Sequence, residues 1–230
     1  MERLVESELL DTLPPRDSGA RRSRADLQRI NWLLGHVGVL ERLLQWAERP
    51  DRIVELGAGD GTFLLRLSRR LSPRWGRMKV VLVDQHDLLT GETREGFLQL
   101  GWNVEATQAD VFDWLAREND GARTVLIANL FLHHFCGGQL RALFRTASRK
   151  CLLFAASEPR RMALALTASR LLGLIGCNGV TRHDAPASVR AGFAARELSS
   201  LWPSGDGWHL REGPAGLFSH CFLARRSGEP

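Results

Sequence analysis

A glycine-rich turn flanked by acidic residues is the part of the sequence most able to do chemistry. Its residues are, in order, Glu55, Leu56, Gly57, Ala58, Gly59, Asp60 and Gly61. Glycine permits a tight turn and lets a ligand approach the backbone closely. The G-x-G-x-G spacing differs from the G-x-G-x-x-G of dinucleotide-binding folds, and Glu55 lies two positions before the first glycine. We therefore predict a ligand-binding turn here and disfavour a nicotinamide-dependent oxidoreductase.

Carboxylates at the ends of later strand-like segments extend this site. Asp84 ends an apolar run, and a carboxylate there can accept hydrogen bonds from both hydroxyls of a ribose. We assign the neighbouring Gln85 to the same site. Asp110 and Val111 follow the next such segment, where a carboxylate beside an apolar residue can bind the amino group of an adenine and pack against its ring. The alternative for Asp110 is an ordinary surface aspartate.

Two adjacent histidines, His133 and His134, follow the fourth strand-like segment. A neutral imidazole can accept a proton near neutral pH. Because neighbouring residues of an extended chain point in opposite directions, we expect at most one of the two to face the substrate. The alternative is that both are structural and that the enzyme acts mainly by positioning its reactants.

Alternating strand-like and helix-like segments must position these residues. Strands are predicted over 52–56, 78–84, 104–108, 124–128 and 151–156. Helices are predicted over 62–71, 88–100, 112–117 and 139–148. This alternation predicts an α/β fold with a Rossmann-like, doubly wound, mostly parallel sheet. Two final strands, 208–212 and 217–224, are joined by a short Gly- and Pro-containing connection, so we predict a C-terminal antiparallel hairpin.

The segments outside this alternation are predicted to be helical. Residues 1–48 form an N-terminal helical cap, with a helix over 24–36 that begins after Ser23 as N-cap and a second over 37–47. Residues 49–230 form the main domain. Within it, 159–201 is a helical insertion on the substrate side. Its helices are predicted over 160–176 and 187–201, with an irregular polar segment over 177–186.

Four polar residues near this insertion are candidate substrate contacts: Arg160, Arg182, His183 and Arg190. Arginine can pair with an anionic oxygen, and His183 could act with Asp184 as an acid–base pair. The alternative is that they lie on solvated loops. The strongly apolar stretch 162–177 is either packed core, the wall of a pocket for an apolar substrate, or a membrane-surface contact.

Composition narrows the class of partner. The net charge is +5 with scattered arginine pairs, which indicates a solvated basic surface, with a patch for nucleic acid or membrane as the alternative. The four cysteines contain no C-x-x-C pair, so we predict no metal site and no redox motif. The sequence has neither a signal-peptide pattern nor an apolar run of about 18 residues, so we expect a cytoplasmic protein.

Taken in order, the motifs resemble those of class I S-adenosylmethionine-dependent methyltransferases, over about residues 50–158 and the final hairpin. The last of them is Asn129-Leu130-Phe131-Leu132-His133-His134-Phe135. The resemblance implies S-adenosyl-L-methionine as cofactor. The glycine turn and Asn129 would hold its methionine half, Asp84 the ribose and Asp110 the adenine. The Leu-His-His stretch is similar to the branch that methylates small molecules, including quinone and polyketide rings.

The resemblance predicts O- or C-methylation of a small, apolar phenolic, enolic or quinone-like acceptor. The sequence lacks the Asn/Asp-Pro-Pro-aromatic motif of nucleic-acid aminomethyltransferases, and it contains no tyrosine to stack on bases. Nucleic acid is therefore a disfavoured partner. The basic composition keeps an RNA or protein methyltransferase as an alternative, and an inactive cofactor-binding module is a second.

Overall fold

A mixed β-sheet forms the centre of the protein. The structure is a computed structural model that describes residues 1–45, 47–117, 122–205 and 207–227. Within these residues seven strands lie in the order β3-β2-β1-β4-β5-β7-β6. In chain order they are β1 Arg52–Leu56, β2 Lys79–Asp84, β3 Asn103–Gln108, β4 Thr124–Asn129, β5 Leu153–Pro159, β6 Trp208–Pro214 and β7 Ser219–Arg226. Strands β1 to β5 are parallel, and β7 runs antiparallel to β5 and β6. The predicted fold and its closing hairpin are confirmed.

Helices cover both faces of this sheet. They are α1 Leu9–Thr12, α2 Ser18–Leu33, α3 His36–Leu44, α4 Thr62–Trp75, α5 Gly91–Gln99, α6 Val111–Ala116, α7 Gly137–Lys150, α8 Ala163–Arg170, α9 Gly179–Ala191 and α10 Glu197–Leu201. Two 3₁₀ turns, Leu132–His134 and Leu172–Ile175, complete the described elements. Every residue of β4 and β5 is buried, as expected for central strands covered on both faces.

Two apolar layers hold the sheet, one on each face. On one face Leu40, Leu64 and Phe97 lie in a cluster that joins α3, α4 and α5 to the strands. On the other, Phe144 and Phe154 pack edge to face with ring centroids 5.5 Å apart, in a second cluster. Burying each such side chain contributes roughly 1.5–3 kcal/mol relative to leaving it exposed. These layers make the carboxyl edge of the sheet a rigid platform for the loops that follow its strands.

The N-terminal helices differ from the prediction. Helix α2 begins at Ser18, not after Ser23, because the Asp17 carboxylate accepts hydrogen bonds from the Gly19 and Ala20 backbone N–H groups. Ser23 lies inside the helix, where its hydroxyl is 2.9 Å from that of Thr181. The next helix, α3, ends at Leu44; residue 46, within the predicted helix 37–47, lies outside the described residues.

The insertion also differs from the prediction. The segment 177–186, expected to be irregular, contains the start of α9, whose N-cap Asn178 accepts a hydrogen bond from the Thr181 N–H. Pro186 lies within that helix. The predicted helix 187–201 is divided between α9 and α10, because the chain turns at Gly192 to pass close to Pro159. A Cβ at Gly192 would lie 2.3 Å from the Pro159 carbonyl oxygen. The predicted helix 160–176 is α8 followed by a 3₁₀ turn.

The N-terminal residues and the insertion pack on each other at the carboxyl edge of the sheet. The Asp26 carboxylate in α2 accepts hydrogen bonds from the Asn178 N–H and the Thr181 hydroxyl. Asp184 in α9 accepts hydrogen bonds from the Leu9 and Leu10 N–H groups at the start of α1. The two segments therefore form one roof over the loops that follow the strands. Among the described residues, no helix has the length and apolar character that crossing a membrane requires.

Candidate active site

A cavity of about 780 Å³ lies between this roof and the carboxyl edge of the sheet. At one end it reaches the glycine turn and the ends of β2 and β3, through Gly57, Asp84 and Val111. At the other end its walls are residues of α2, α8 and α9. Six of the predicted site residues line it: Gly57, Asp84, Gln85, Val111, His133 and His134. A cavity of this size suits one cofactor together with a small acceptor.

The glycine turn has the conformation that its sequence requires. Gly57, Gly59 and Gly61 have φ of 69°, 55° and 75°, a region that other residues rarely adopt. A Cβ at Gly57 would lie 2.1 Å from the Phe131 ring, and one at Gly61 would lie 2.6 Å from Leu82 Cδ1. At Gly59 the same position is open, with nothing within 4 Å. The first and third glycines thus serve close packing, and the second leaves space above the turn.

Asp84 holds this turn in place. Its Oδ2 accepts a hydrogen bond from the Gly59 N–H at 2.9 Å, and its Oδ1 accepts one from the His86 N–H at 2.9 Å. A carboxylate has about four acceptor positions, so each oxygen can accept a further hydrogen bond. The carboxylate lines the cavity and is therefore able to bind a pair of adjacent hydroxyls there.

Asp110 is the N-cap of α6. Its Oδ1 accepts hydrogen bonds from the Phe112 and Asp113 N–H groups, and its Oδ2 accepts one from the Gln85 amide at 3.3 Å. Val111, next to it, is buried and lines the cavity. An apolar surface beside an anchored carboxylate can hold a flat, amino-bearing ring.

Glu55 and Asn129 are placed differently from the prediction, since neither lines the cavity. Glu55 is buried beneath the turn, where burial and the nearby Asp60 and Asp84 raise the pKa of its carboxyl well above the usual value. The raised pKa favours the protonated carboxyl, and Glu55 supports the turn from below. The Asn129 amide is fully engaged with the N-terminal helices, because its Oδ1 lies 2.9 Å from His36 Nδ1 and its Nδ2 donates to Asn31.

The two histidines lie in a 3₁₀ turn, so the expectation from an extended chain was wrong. The turn begins after Leu130, whose φ of 51° is rare for a residue with a side chain, and both imidazoles then line the cavity. Their ring centroids are 4.3 Å apart. Arg3 fixes this turn by donating hydrogen bonds to the His133 and Phe135 carbonyl oxygens.

His133 is buried between two carboxylates. Its Nδ1 lies 2.8 Å from Glu158 Oε2, and its Nε2 lies 3.4 Å from Glu8 Oε1. Burial by itself would lower the pKa of His133, but the two carboxylates raise it to about 10. Likewise, burial would raise the pKa of Glu8, but His133 lowers it to about 2. His133 is therefore an imidazolium at neutral pH and has no lone pair free to act as a base.

His134 is the more accessible of the two histidines. About 24% of its side chain is exposed, and its Nδ1 lies 3.2 Å from Asp11 Oδ2. Both Glu8 and Asp11, in the first residues of the chain, line the cavity. Sequence reasoning missed them because nothing in the local pattern of residues 1–12 shows that they fold back over the sheet. Glu8 is positioned by Ser188 of α9, whose hydroxyl donates to Glu8 Oε1.

The four predicted substrate contacts do not line the cavity. Arg190 forms an ion pair with Glu6 at 2.7 Å on the outer side of the roof. The His183 side chain is 59% exposed, and its Nδ1 lies 2.9 Å from Asp184 Oδ1, so the two residues do pair. Asp184 also accepts hydrogen bonds from the Leu9 and Leu10 N–H groups, and His183 does not line the cavity. Arg182 lies against Gly173, and the backbone of Arg160 forms an isolated parallel β-bridge with that of Phe193. For Arg182 and His183 the local structure differs from the prediction, because they lie in α9 and not in an irregular segment.

Apolar side chains form most of the rest of the cavity wall. They come from α2, α8, the second 3₁₀ turn, α9 and the β6–β7 hairpin, and they are Leu27, Ile30, Leu33, Leu34, Ala165, Ala168, Leu172, Ile175, Val189 and Leu217. Charged and polar groups gather instead at the Glu8, Asp11, His133 and His134 end. The cavity therefore has one end able to hold a nucleoside, one polar corner, and an apolar chamber.

The arrangement fits S-adenosylmethionine. Asp84 retains free acceptor positions for two hydroxyls, Val111 offers an apolar surface for a ring, and the open space above Gly59 admits a chain that carries charge and hydrogen-bonding groups. Residues 53–151 match the family model described as a methyltransferase domain. No curated protein matches the sequence.

Solved structures show the same fold at low identity. A protein from Nostoc punctiforme assigned as an O-methyltransferase is 13% identical with a TM-score of 0.63, over 98% of this chain and 64% of that one. The plantazolicin methyltransferase BamL was solved with a triazolic desmethylPZN analogue and SAH. It is 11% identical with a TM-score of 0.65, over 94% of this chain and 92% of that one. Human N-acetylserotonin methyltransferase, solved with SAM, is 17% identical with a TM-score of 0.55, over 96% of this chain and 60% of that one.

The fold and the match over residues 53–151 make this part of the chain similar to a class I S-adenosylmethionine-dependent methyltransferase domain.

Proposed function

We propose that the protein methylates a small, largely apolar acceptor that carries a nucleophilic oxygen or an acidic ring carbon, such as a phenol, an enol or a quinone-like ring. The single observation that carries this proposal is the continuity of one cavity. It joins the Gly57–Asp84 region to a chamber with apolar walls through a corner formed by His133 and His134. Both reactants would therefore lie in the same enclosed space.

The cofactor is proposed to lie along the ends of β1, β2 and β3. Asp84 would bind the ribose hydroxyls, Asp110 and Val111 the adenine with Gln85 at its edge, and the backbone of Gly57, Ala58 and Gly59 the methionine half. S-adenosylmethionine, when bound, supplies a methyl group on a positively charged sulfur. Gly61 contributes only the tight turn into α4. Glu55 and Asn129 act indirectly in this proposal, the first beneath the turn and the second through the N-terminal helices.

The acceptor is proposed to lie in the apolar chamber with its nucleophilic atom at the polar corner. The enclosing walls hold it in line with the methyl group, and such positioning can supply several kcal/mol of the rate acceleration. The methyl group would pass to the acceptor's oxygen or carbon as the carbon–sulfur bond of S-adenosylmethionine breaks, and S-adenosylhomocysteine would remain. The acceptor's proton would pass to His134, which Asp11 orients. His133 is excluded as the base because it is already protonated.

An RNA or protein methyltransferase is less consistent with this site. The apolar side chains around the chamber offer few partners for a phosphate backbone, and the arginines proposed for substrate contact lie outside the cavity. BamL was solved with an analogue of desmethylPZN. A modified peptide is therefore the second kind of acceptor to be assayed.

The proposal is tested in two steps, the first of which needs no acceptor. Titration calorimetry should show that S-adenosylhomocysteine binds the protein with one site per chain, and that Asp84→Asn weakens binding roughly 10- to 100-fold, as expected for loss of charged hydrogen bonds. Asp87→Asn, an exposed neighbour, is the matched control and should bind normally. Absence of S-adenosylhomocysteine binding to the folded protein would refute the proposed function.

The second step identifies the acceptor. Transfer of a labelled methyl group from S-adenosylmethionine is measured against phenols, alkylated quinols and enols, with azole-containing peptides and total RNA as competing classes. The expected result is transfer to an apolar ring compound. Transfer to RNA or peptide alone would contradict the acceptor class while leaving methyltransferase activity in place.

A further inference from the structure

The polar corner of the cavity brings together three side chains that ordinarily bind metal ions. One oxygen of Glu8 and one ring nitrogen each of His133 and His134 lie within 4.8 Å of one another. Sequence reasoning predicted no metal site because it looked for cysteine pairs, and because Glu8 is more than a hundred residues away from the histidines. The fold brings Glu8 to them by packing the N-terminal segment against α9.

From this geometry we propose that Glu8, His133 and His134 bind a divalent first-row transition-metal ion at the edge of the cavity. Two imidazoles and one carboxylate form a ligand set that Zn²⁺, Fe²⁺, Co²⁺ and related ions favour, whereas Mg²⁺ and Ca²⁺ prefer oxygen ligands alone.

The spacing of the two best-placed ligand atoms supports the site. Glu8 Oε1 and His133 Nε2 are 3.4 Å apart. An ion at the usual distances of about 2.0 Å from oxygen and 2.1 Å from nitrogen would subtend an angle of about 110° between them, close to tetrahedral. These two side chains can therefore bind the ion with little movement.

A carboxylate oxygen lies close to the Nδ1 atom of each histidine. Glu158 Oε2 lies 2.8 Å from His133 Nδ1, and Asp11 Oδ2 lies 3.2 Å from His134 Nδ1. Metal-binding histidines usually donate their second N–H to a carboxylate or carbonyl in this way, which fixes the ring and makes the ligating nitrogen more basic. Glu158 is itself fixed, because its Oε1 accepts hydrogen bonds from the Phe131 and Leu132 N–H groups.

The charge around the corner also favours a cation. Glu8 and Glu158 are both buried carboxylates and Asp11 adds a third, partly exposed one. The Arg3 guanidinium donates hydrogen bonds to the backbone carbonyls of His133, Phe135 and Ala191. A divalent ion would therefore enter a corner lined by three carboxylates.

Three protein ligands leave at least one coordination position of the ion for a water or a substrate oxygen. All three side chains line the cavity, so that position would be accessible to the acceptor. An acceptor oxygen bound there would be held beside the methyl group, and the ion would lower the pKa of its hydroxyl. With the ion bound, His134 is a ligand and no longer the base. The ion would then promote loss of the acceptor's proton. This second half of the inference rests on the proposed function; the binding of the ion does not.

The site is tested by metal titration of untagged full-length protein that has been freed of metal with a chelator. Co²⁺ is added while the visible absorption is recorded, because its bands report coordination number directly. The expected result is one Co²⁺ per chain with an intense four- or five-coordinate spectrum, displaced by Zn²⁺ but not by Mg²⁺. Glu8→Gln and His134→Asn should each weaken Co²⁺ binding at least 10-fold.

Two substitutions on the outer side of the roof are matched controls. Glu6→Gln and His183→Asn replace the same residue types close in sequence or space, and both should leave the Co²⁺ spectrum and affinity unchanged. Circular dichroism confirms that each variant is folded. Failure of the wild-type protein to bind Co²⁺ with one-to-one stoichiometry, or binding that survives both cavity substitutions, overturns the site. S-adenosylhomocysteine titrations on the same metal-free samples distinguish this failure from failure of the proposed function.

Discussion

Glu158 Oε2 lies 2.8 Å from His133 Nδ1, and both side chains are almost completely buried. Glu158 is the second-last residue of β5 and His133 lies just after β4, so this pair joins the carboxyl ends of neighbouring strands. The Glu158 carboxylate also accepts hydrogen bonds from the Phe131 and Leu132 N–H groups. One carboxylate thus fixes the whole turn that carries both cavity histidines.

Glu158→Gln should therefore destabilise the protein strongly. The substitution leaves the buried His133 imidazolium with one ionised partner instead of two, and removing one member of a buried ion pair costs about 3–5 kcal/mol. The free energy of unfolding is measured by denaturant titration. The control is Glu105→Gln, whose exposed pairing with Lys79 should contribute less than about 1 kcal/mol. Equal effects of the two substitutions would contradict the role assigned to Glu158.

Gly57→Ala should destabilise the folded protein more than Gly59→Ala. Both positions have positive φ, so each substitution carries similar backbone strain of about 1 kcal/mol. Only at Gly57 would the new methyl group collide with the Phe131 ring. We therefore expect a lower melting temperature for Gly57→Ala than for Gly59→Ala. S-adenosylhomocysteine affinity is measured on both. Indistinguishable melting temperatures would show that the ring moves aside freely.

His36 should make the protein less stable in mild acid. It is fully buried between Asn129 and Ser219, and burial lowers its pKa to about 4, against the opposing effects of Asn129 and Glu158. The unfolded chain binds a proton at His36 near pH 6.5, whereas the folded protein does so only near pH 4. This group's contribution to the free energy of unfolding therefore declines as the pH falls from 6.5 to 4, by up to roughly 3 kcal/mol.

The measurement is denaturant unfolding at a series of pH values between 4 and 7. His36→Gln keeps a polar side chain but removes the titrating group, so its free energy of unfolding should fall less steeply with pH than that of the wild-type protein. His183→Gln, at a mostly exposed histidine, should keep the wild-type slope. Parallel pH profiles for His36→Gln and the wild-type protein would show that another group dominates the acid sensitivity.

The sheet and the glycine turn at its carboxyl edge could be predicted because their signals are local. The apolar strands, the glycine turn and Asp84 each lie within a few residues of the feature that they define. The polar corner could not be predicted in this way. Glu8 reaches His133 only because Ser188 and Asp184 of α9 bind the N-terminal segment, and these contacts join residues far apart in the chain. The helix around Pro186 was also missed, because proline ordinarily breaks helices. Here the helix begins upstream of the proline, at Gly179, with Asn178 as its N-cap.

The apolar chamber gives the last prediction, that Ala168→Trp blocks the acceptor region while leaving cofactor binding intact. Ala168 of α8 lines the chamber, and the predicted cofactor contacts lie at the opposite end of the cavity. A tryptophan side chain would fill much of the space that an acceptor ring needs. The neighbouring Thr167 is exposed and does not line the cavity, so Thr167→Trp is the matched control. Binding of the apolar dye ANS is measured by fluorescence, and S-adenosylhomocysteine affinity is measured by calorimetry. We expect Ala168→Trp to reduce ANS binding several-fold at unchanged S-adenosylhomocysteine affinity, and Thr167→Trp to change neither. A loss of S-adenosylhomocysteine binding in Ala168→Trp would mean that the cofactor extends into the chamber, and the acceptor would then have to lie elsewhere.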